Sequence, residues 1–523
     1  MRVVLVPCLL SVLIPLTAAA QTATIDGTVT DATGAAVPRA VVSLHDLQKR
    51  QITRSESNAS GAYLLPGVSV GSYTLRTERE GFAPASQSLE VTTIGNIRAD
   101  VQLAVIGGKT SVTVTESPGY QVATSSTAGR MEMKLLEIPQ TVQVIPRQLL
   151  EDRQVVRFEE ALRSSSGAYV SSRHGGQQPF LNFRGFSGTD QMRDGIREYF
   201  GYYTMEMANV EQVEVLKGPS SVLFGHLEPG GVVNVVTRHP SASPLASLQL
   251  DRGSFGLWRP VFDLSGPLNR SRSLLGRVTG SYVSDEGFRD FAFVRRSFIA
   301  PTLVWRLASR TSVTAAFEGA SERSSYDGGV PALGDRPAPI PINRSFSEPF
   351  QRASSVNARG RLRLDHTFSN GWLWRTTFQK QYARYWRDRG VLGSALNPAT
   401  GIMSRTFTVG DFANPGIHAQ SDLAGFASTG SIRHAWVVGG DFFSRTSLYK
   451  STVPVPYELV NIFIPTSNPA PIPAPSSLAF YNDPQEKFGG VFLQDQLTLG
   501  RLQILAGMRI NVYRRDYTNR MNG

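Results

Sequence analysis

From about residue 241 onward the chain alternates. Val278, Gly280 and Tyr282 fall on one side of a run whose other side is Arg277, Thr279 and Ser281, and Trp372, Trp374, Thr376 and Phe378 alternate with Leu373, Arg375, Thr377 and Gln379. Successive side chains of an extended strand point to opposite faces, so each run carries one apolar and one polar face. The stretches 488–497 and 505–509 repeat the pattern. After the first twenty residues no apolar run approaches the length that a membrane-spanning helix requires, which excludes a polytopic helical membrane protein. Sheet with one greasy and one wet face remains, and long strands of this kind fit a membrane barrel with lipid outside and water within. The Pro-, Ser- and Asp-rich stretches 322–349 and 454–484 read as loops at its outer end.

Charge is the second constraint. The 523 residues hold 53 Lys and Arg against 42 Asp and Glu, a net charge of +11 that invites a nucleic-acid reading. Its location argues otherwise. Residues 21–105 hold 7 basic and 8 acidic groups, residues 106–240 hold 13 and 14, and residues 241–523 hold 32 and 20. The surplus belongs to the alternating region, no compact basic module exists, and no nucleic-acid partner is expected. Two uses for it compete: Arg facing lipopolysaccharide phosphates, and a positive lumen attracting anionic cargo.

The first twenty residues read as an address. Met1-Arg2 is a short positive start, 3–16 are apolar, and Ala18-Ala19-Ala20 offers a small-residue cleavage site, so 1–20 is expected to be a secretory signal peptide. The single cysteine, Cys8, lies inside it, which removes disulfides, zinc ribbons and Fe–S clusters from consideration. Residues 21–105 read as short strands near 23–29, 40–45, 51–55, 62–65, 72–78, 88–91 and 97–103 separated by turn residues, the signature of a small β-sandwich. Gly67-Val68-Ser69-Val70-Gly71 has the spacing of a hydrolase nucleophile elbow, but the next residues alternate as a strand where that motif requires a helix. It is read as a turn, and no catalytic residue is assigned. Lys217-Gly218-Pro219-Ser220-Ser221 is likewise no phosphate loop, because Pro219 lacks the N–H such a cradle needs. The seven His are scattered without paired metal-ligand spacing. No cofactor and no resident metal are expected.

The text of the sandwich, from Ile25-Asp26-Gly27-Thr28-Val29 through Ser60-Gly61-Ala62-Tyr63 to Glu80-Gly81-Phe82, resembles the carboxypeptidase-regulatory-like domain, which implies no peptidase chemistry. Beyond a linker at 106–118, the blocks Ile138-Pro139-Gln140-Thr141-Val142-Gln143-Val144-Ile145, Phe183-Arg184-Gly185-Phe186, Met192-Arg193-Asp194-Gly195-Ile196-Arg197 and Val213-Glu214-Val215-Leu216-Lys217-Gly218-Pro219 to Pro229-Gly230-Gly231-Val232-Val233-Asn234 resemble the plug domain of TonB-dependent outer-membrane receptors. A helix is expected over 147–162. The wording of these blocks is similar to that of ferric-siderophore receptors.

That resemblance implies a mainly β chain: a periplasmic β-sandwich at 21–105, an α/β plug at 119–240, and at 241–523 the first part of a 22-stranded transmembrane β-barrel in the outer membrane. Twenty-two strands of about 10 residues need about 220 residues for the strands alone. Ten to twelve strands are readable here, so the sequence is expected to be the N-terminal portion of a longer receptor. The β-branched heptad Thr110, Ser111, Val112, Thr113, Val114, Thr115 and Glu116 is similar to a TonB box, able to add itself as a strand to the periplasmic partner TonB. A ferric siderophore would meet one plug apex through Arg173, Gln177 and Gln178 and another through Tyr202 and Tyr203, while Arg184 and Lys217 would anchor the plug to barrel carboxylates. A monomer in contact with outer-membrane lipid and lipopolysaccharide is implied. Other cargo (a glycan or cobalamin), and a non-transporting surface adhesin, are the rival readings.

Overall fold

The computed structural model describes residues 23–31, 34–46, 50–82, 84–91, 96–103, 120–174, 178–187, 190–198, 204–218, 220–225, 227–465 and 471–521. The chain divides into two compact units at residues 106 and 107.

The first unit is the expected sandwich. Ala23–Asp31 alternates buried and half-buried residues along its length and pairs antiparallel with Ala62–Val68. The expected strand at 97–103 is two pieces, Asn96–Arg98 and Val101–Leu103, both parallel to Ala23–Asp31. The facing sheet runs in the order Gln51–Glu56, Val41–His45, Gly71–Glu78, Ala85–Val91, all antiparallel. Ile25, Val29, Val42, Leu44, Leu65, Leu75 and Leu103 fill the space between the sheets. The stretch 67–71 links a strand of one sheet to a strand of the other, with Gly67 at φ 77, as the turn reading requires.

The second unit begins with the plug. Its five-stranded sheet has the order Thr141–Pro146, Val210–Lys217, Gly231–Thr237, Asp190–Arg193, Ile196–Glu198, antiparallel except for the parallel pair Gly231–Thr237 and Asp190–Arg193. All seven residues of Gly231–Thr237 are buried, since elements cover both faces of the strand. The helix expected over 147–162 is two helices, Arg147–Asp152 and Phe158–Leu162. Gln154 adopts φ 50 between them, and the Glu160 carboxylate accepts from the Val156 and Arg157 amides at 3.2 Å, capping a new start. The apolar face keeps its spacing across the break because Leu150, Phe158, Ala161 and Leu162 enter one core.

The wall is an antiparallel meander of eleven strands: Leu245–Arg252, Trp258–Pro267, Leu274–Asp285, Val294–Ala308, Thr311–Ser324, Arg352–Thr367, Leu373–Leu396, Ile402–Thr429, Ile432–Thr446, Gln485–Leu499 and Leu502–Asp516. Two further strands, Leu448–Thr452 and Val455–Asn461, pair with Ile402–Thr429, and Leu478–Asn482 pairs with Leu448–Thr452. The order leaves Leu245–Arg252 and Leu502–Asp516 at opposite edges of an open sheet. The alternation read from sequence holds. Trp258, Phe262, Leu264, Tyr282, Trp374 and Phe378 are exposed on the outer face, whereas Arg259, Asp263, Thr279, Thr377 and Gln379 are buried on the inner one.

Connections at one end of the wall are all short, the shortest at 309–310, 430–431 and 500–501, and the other end, beside the short 253–257 and 397–401, holds the three longest, 286–293, 325–351 and 447–484. Short periplasmic turns and longer outer loops characterise outer-membrane barrels, and this asymmetry orients the sheet. The plug joins the wall through 238–244 at the short-turn end, where Leu245 pairs with Ser265. At 28 residues, Ile402–Thr429 spans about 90 Å, several times the bilayer core of about 30 Å, so much of it stands outside the membrane. The stretch 325–351, expected as loop, packs on this projection. Ala338 enters a cluster with Met403, Val460 and Ile462, Arg344 Nη1 donates to Ile462 O at 2.8 Å, and Gln351 Nε2 donates to Val391 O at 3.0 Å.

Candidate functional site: the plug–wall junction

The plug meets the inner face of the wall along two seams of different chemistry. The first is ionic. Glu206, 2% exposed, receives Arg259 at 2.6 Å and Arg296 at 3.2 Å from two wall strands, Trp258–Pro267 and Val294–Ala308, that flank Leu274–Asp285, and Arg296 also reaches Glu322 at 3.2 Å. Burial alone would raise the Glu206 pKa, and the Arg296 and Arg259 guanidiniums outweigh it, holding the carboxylate below its ordinary range. Nearby, plug Arg193 and Glu198 interlock with wall Glu318 and Arg359: Arg193 lies 3.2 Å from Glu318 and 3.3 Å from Glu198, Arg359 lies 3.1 Å from Glu318 and also pairs with Glu198. Asn209 adds a hydrogen bond to Glu318 at 2.9 Å. Asp194 pairs with Arg361 and accepts from the Thr237 amide and hydroxyl at 2.8 Å; these partners overcome the opposing effect of burial and keep it ionised. Arg238 completes the seam on Asp263 at 2.7 Å.

The second seam is mostly apolar. The helix Ser221–Phe224 lies against Gln485–Leu499 and Leu502–Asp516, with Leu223, Phe224, Leu227 and Phe492 in one cluster. Two glycines permit this approach. A Cβ on Gly225, which sits at φ 79, would meet the Phe488 ring at 2.6 Å, and one on Gly507 would meet Val222 at 2.7 Å. The Arg130 guanidinium is sandwiched between the rings of Phe224 and Phe492, at 4.9 and 4.6 Å, and Asp422 is 3.9 Å away. Burial pushes Arg130 down to about 10, so it remains charged at neutral pH.

The start of the plug is tied to its centre. Glu214, fully buried on the inner strand Val210–Lys217, accepts from Ser125 Oγ at 2.8 Å, from the Thr127 amide at 3.1 Å and from the Thr127 hydroxyl, while Asn234 Nδ2, on the middle strand, donates to Thr127 Oγ1 at 2.9 Å.

A pocket lies between the plug and the wall, lined by Arg197 of the plug and by Gln379, Gln381, Asn414, Gly416, Ile417, His418, Phe443 and Arg445 of the wall. Residues expected from sequence distribute unevenly. Arg173 falls in strand Ala168–His174 and Gln178 opens the paired strand Gln178–Phe183, so both border the connection between them. Gln177, Tyr202, Tyr203 and the whole of 110–116 lie outside the described residues. Arg184 is exposed in a turn at φ 49, and Lys217 donates to Ser166 Oγ at 2.8 Å, its pKa lowered by burial and by nearby Arg184. Among the described residues neither forms an ion pair with a wall carboxylate; the plug contacts the wall through Arg130, Arg193, Asp194, Glu198, Glu206 and Arg238 instead. Sequence reading missed these. The signal available was the match of a near-neutral plug with a wall whose inward positions are rich in Arg.

Comparison with known proteins agrees with this architecture. Residues 134–232 match the TonB-dependent receptor plug domain, residues 300–523 the TonB-dependent receptor-like β-barrel, and residues 24–104 the carboxypeptidase regulatory-like domain. The chain is 31% identical over 415 residues to the metal-pseudopaline receptor CntO of Pseudomonas aeruginosa, covering 76% of this chain and 57% of that one. It is 24% identical to the ferrichrome outer membrane transporter/phage receptor of Escherichia coli, covering 83% and 64%. The chain therefore spans less than two thirds of the length of these relatives. The fold is similar to that of the pyoverdine outer membrane receptor FpvA of Pseudomonas aeruginosa, with a TM-score of 0.72 at 21% identity over 79% of this chain and 63% of that one.

Proposed function

We propose an import function for this chain, which belongs to the TonB-dependent outer-membrane receptors and is not an enzyme. It carries a ferric siderophore inward across the outer membrane, and the periplasmic partner TonB supplies the energy. One observation supports this most: plug and wall match in order to a set of receptors whose names include ferrichrome, ferrioxamine B and catecholate siderophores. The cargo is captured between the outer loops and the plug apices, with Arg173 pairing with an anionic chelate, Gln177 and Gln178 donating hydrogen bonds, and Tyr202 and Tyr203 offering aromatic faces. Thr110 to Glu116 then pair with TonB as an added strand, and the pull enters the plug where Ser125 and Thr127 are held by Glu214. Arg184 and Lys217 remain candidates for holding the plug to wall carboxylates. The receptor acts as a monomer, its outer face in lipid and lipopolysaccharide, with the sandwich in the periplasm.

A second reading changes the metal. The 31% identical relative is named a metal-pseudopaline receptor, which favours a metal chelate whose ion need not be iron. Uptake of labelled iron, zinc and nickel by the host with and without the receptor distinguishes the two. Deleting 110–116 is expected to abolish uptake while leaving chelate binding to cells intact; full uptake after the deletion would rule out energising through that segment.

A further inference from the structure

Three neighbouring wall strands build the pocket beside Arg197. The register sets Gln379 opposite His418 and His418 opposite Phe443; in the next inward row Gln381 is opposite Gly416, and Gly416 opposite Arg445. The period of two turns all of these inward, so two cross-strand rows that carry Gln379, His418, Gln381 and Arg445 together with Phe443 and Gly416 face Arg197 of the plug strand Ile196–Glu198. Gly416 keeps the floor low. A Cβ there would come within 3.3 Å of Ser444 O and 3.6 Å of the Phe443 ring.

Two atoms in the first row are buried without a hydrogen-bond partner among the described residues, Gln379 Oε1 and His418 Nδ1, on residues only 3% and 9% exposed. An orphaned buried polar atom costs stability until a partner reaches it. Each group is also versatile: the amide presents an acceptor and a donor, and the imidazole nitrogen is one or the other according to its tautomer. A partner that both donates and accepts satisfies the pair in any of these states, and a hydroxyl group does so.

We propose that this pocket is a hydroxyl-binding subsite on the path of the cargo, with Gln379 and His418 as its specificity-determining residues. The proposal rests on the import reading above. Hydroxyls of this kind are borne by metal chelates and by glycans, and the experiment separates them. Host cells expressing the receptor, or its Gln379→Leu, Gln379→Glu or His418→Phe variants, receive radioactive iron as the chelate present in iron-starved spent medium, and in parallel a labelled malto-oligosaccharide mixture. For iron, Gln379→Leu and His418→Phe are expected to raise the half-saturating concentration about tenfold with the maximal rate kept, the equivalent of one lost buried hydrogen bond. Gln379→Glu, which keeps an acceptor, recovers most of the affinity, and the purified Leu and Phe variants melt no lower than the parent. Unchanged half-saturation overturns the proposal, as does loss of uptake accompanied by a lower melting temperature in both variants. A shift seen with the oligosaccharide alone keeps the subsite and assigns it to a glycan, and the ferric reading falls. If the parent receptor takes up neither probe, the import reading fails and the subsite with it.

Discussion

The two seams that hold the plug differ in what water does to them. Along the apolar seam Leu223, Phe224 and Phe492 are buried against one another, and parting them exposes hydrocarbon with no compensation. Along the ionic seam the groups that part are Glu206, Asp194, Arg193 and their wall partners, and water solvates each of them well once it enters. A buried ion pair therefore adds little net stability over a hydrophobic substitute, yet losing one partner is costly because the other is left charged and dry. The ionic seam specifies where the plug sits, and the apolar seam resists its leaving.

Four changes test this contrast. The absence of cysteine from 21–523 allows a Ser125→Cys variant to report plug release in urea through thiol labelling. Glu206→Leu, which takes from Arg259 and Arg296 the buried carboxylate they share, is expected to destabilise plug retention by about 3–5 kcal/mol; a loss below about 1 kcal/mol would show the seam already hydrated. Leu223→Ala on the apolar seam should cost about 3 kcal/mol, through lost burial and the cavity left behind. Acid distinguishes the seams next. Because Glu206 and Asp194 have folded pKa values below their unfolded ones, their contribution is complete above the unfolded carboxylate pKa of about 4 and fades as pH falls through the folded values. Retention should thus be level from neutral pH to about pH 5 and weaken only below about pH 4, and Glu206→Leu should flatten that fall. Smallest of all, Arg433→Ala removes an exposed pair with Glu137 and should shift retention by less than about 1 kcal/mol, a shift that added salt erases.

Legibility in the sequence followed the range of the interactions. Strands of the sandwich and the two faces of the wall are written in local alternation, and Arg277, Thr279, Trp374 and Phe378 stand where period two puts them. The single helix expected at 147–162 failed at Gln154 because the break is set by Glu160 capping a new start, a choice that apolar spacing does not register. The ionic seam was out of reach for another reason. Glu206 finds Arg296 across 90 residues and Asp194 finds Arg361 across 167, and such pairs depend on the register of the wall and the seat of the plug together. The charge surplus is the instructive case. Arg259, Arg296, Arg359 and Arg361 neither coat the surface nor leave a bare positive lumen, because plug carboxylates neutralise them. Gln379 and His418 looked ordinary in the sequence, and what marks them is burial without a partner at the edge of a pocket.

The short link at 238–244 has a consequence for how a passage can open. It runs directly from the plug's most buried strand into the first wall strand, and Arg238 on Asp263, with Arg277 donating to the His239 carbonyl at 2.8 Å, clamps it at the short-turn end. A cork on such a tether cannot be drawn cleanly out, and it has little freedom to swivel at the tied end. The route of least resistance runs through the parts farthest along the chain from the knot, so that an opening would unravel from the leading end of the plug while its trailing strand stays stitched to the wall.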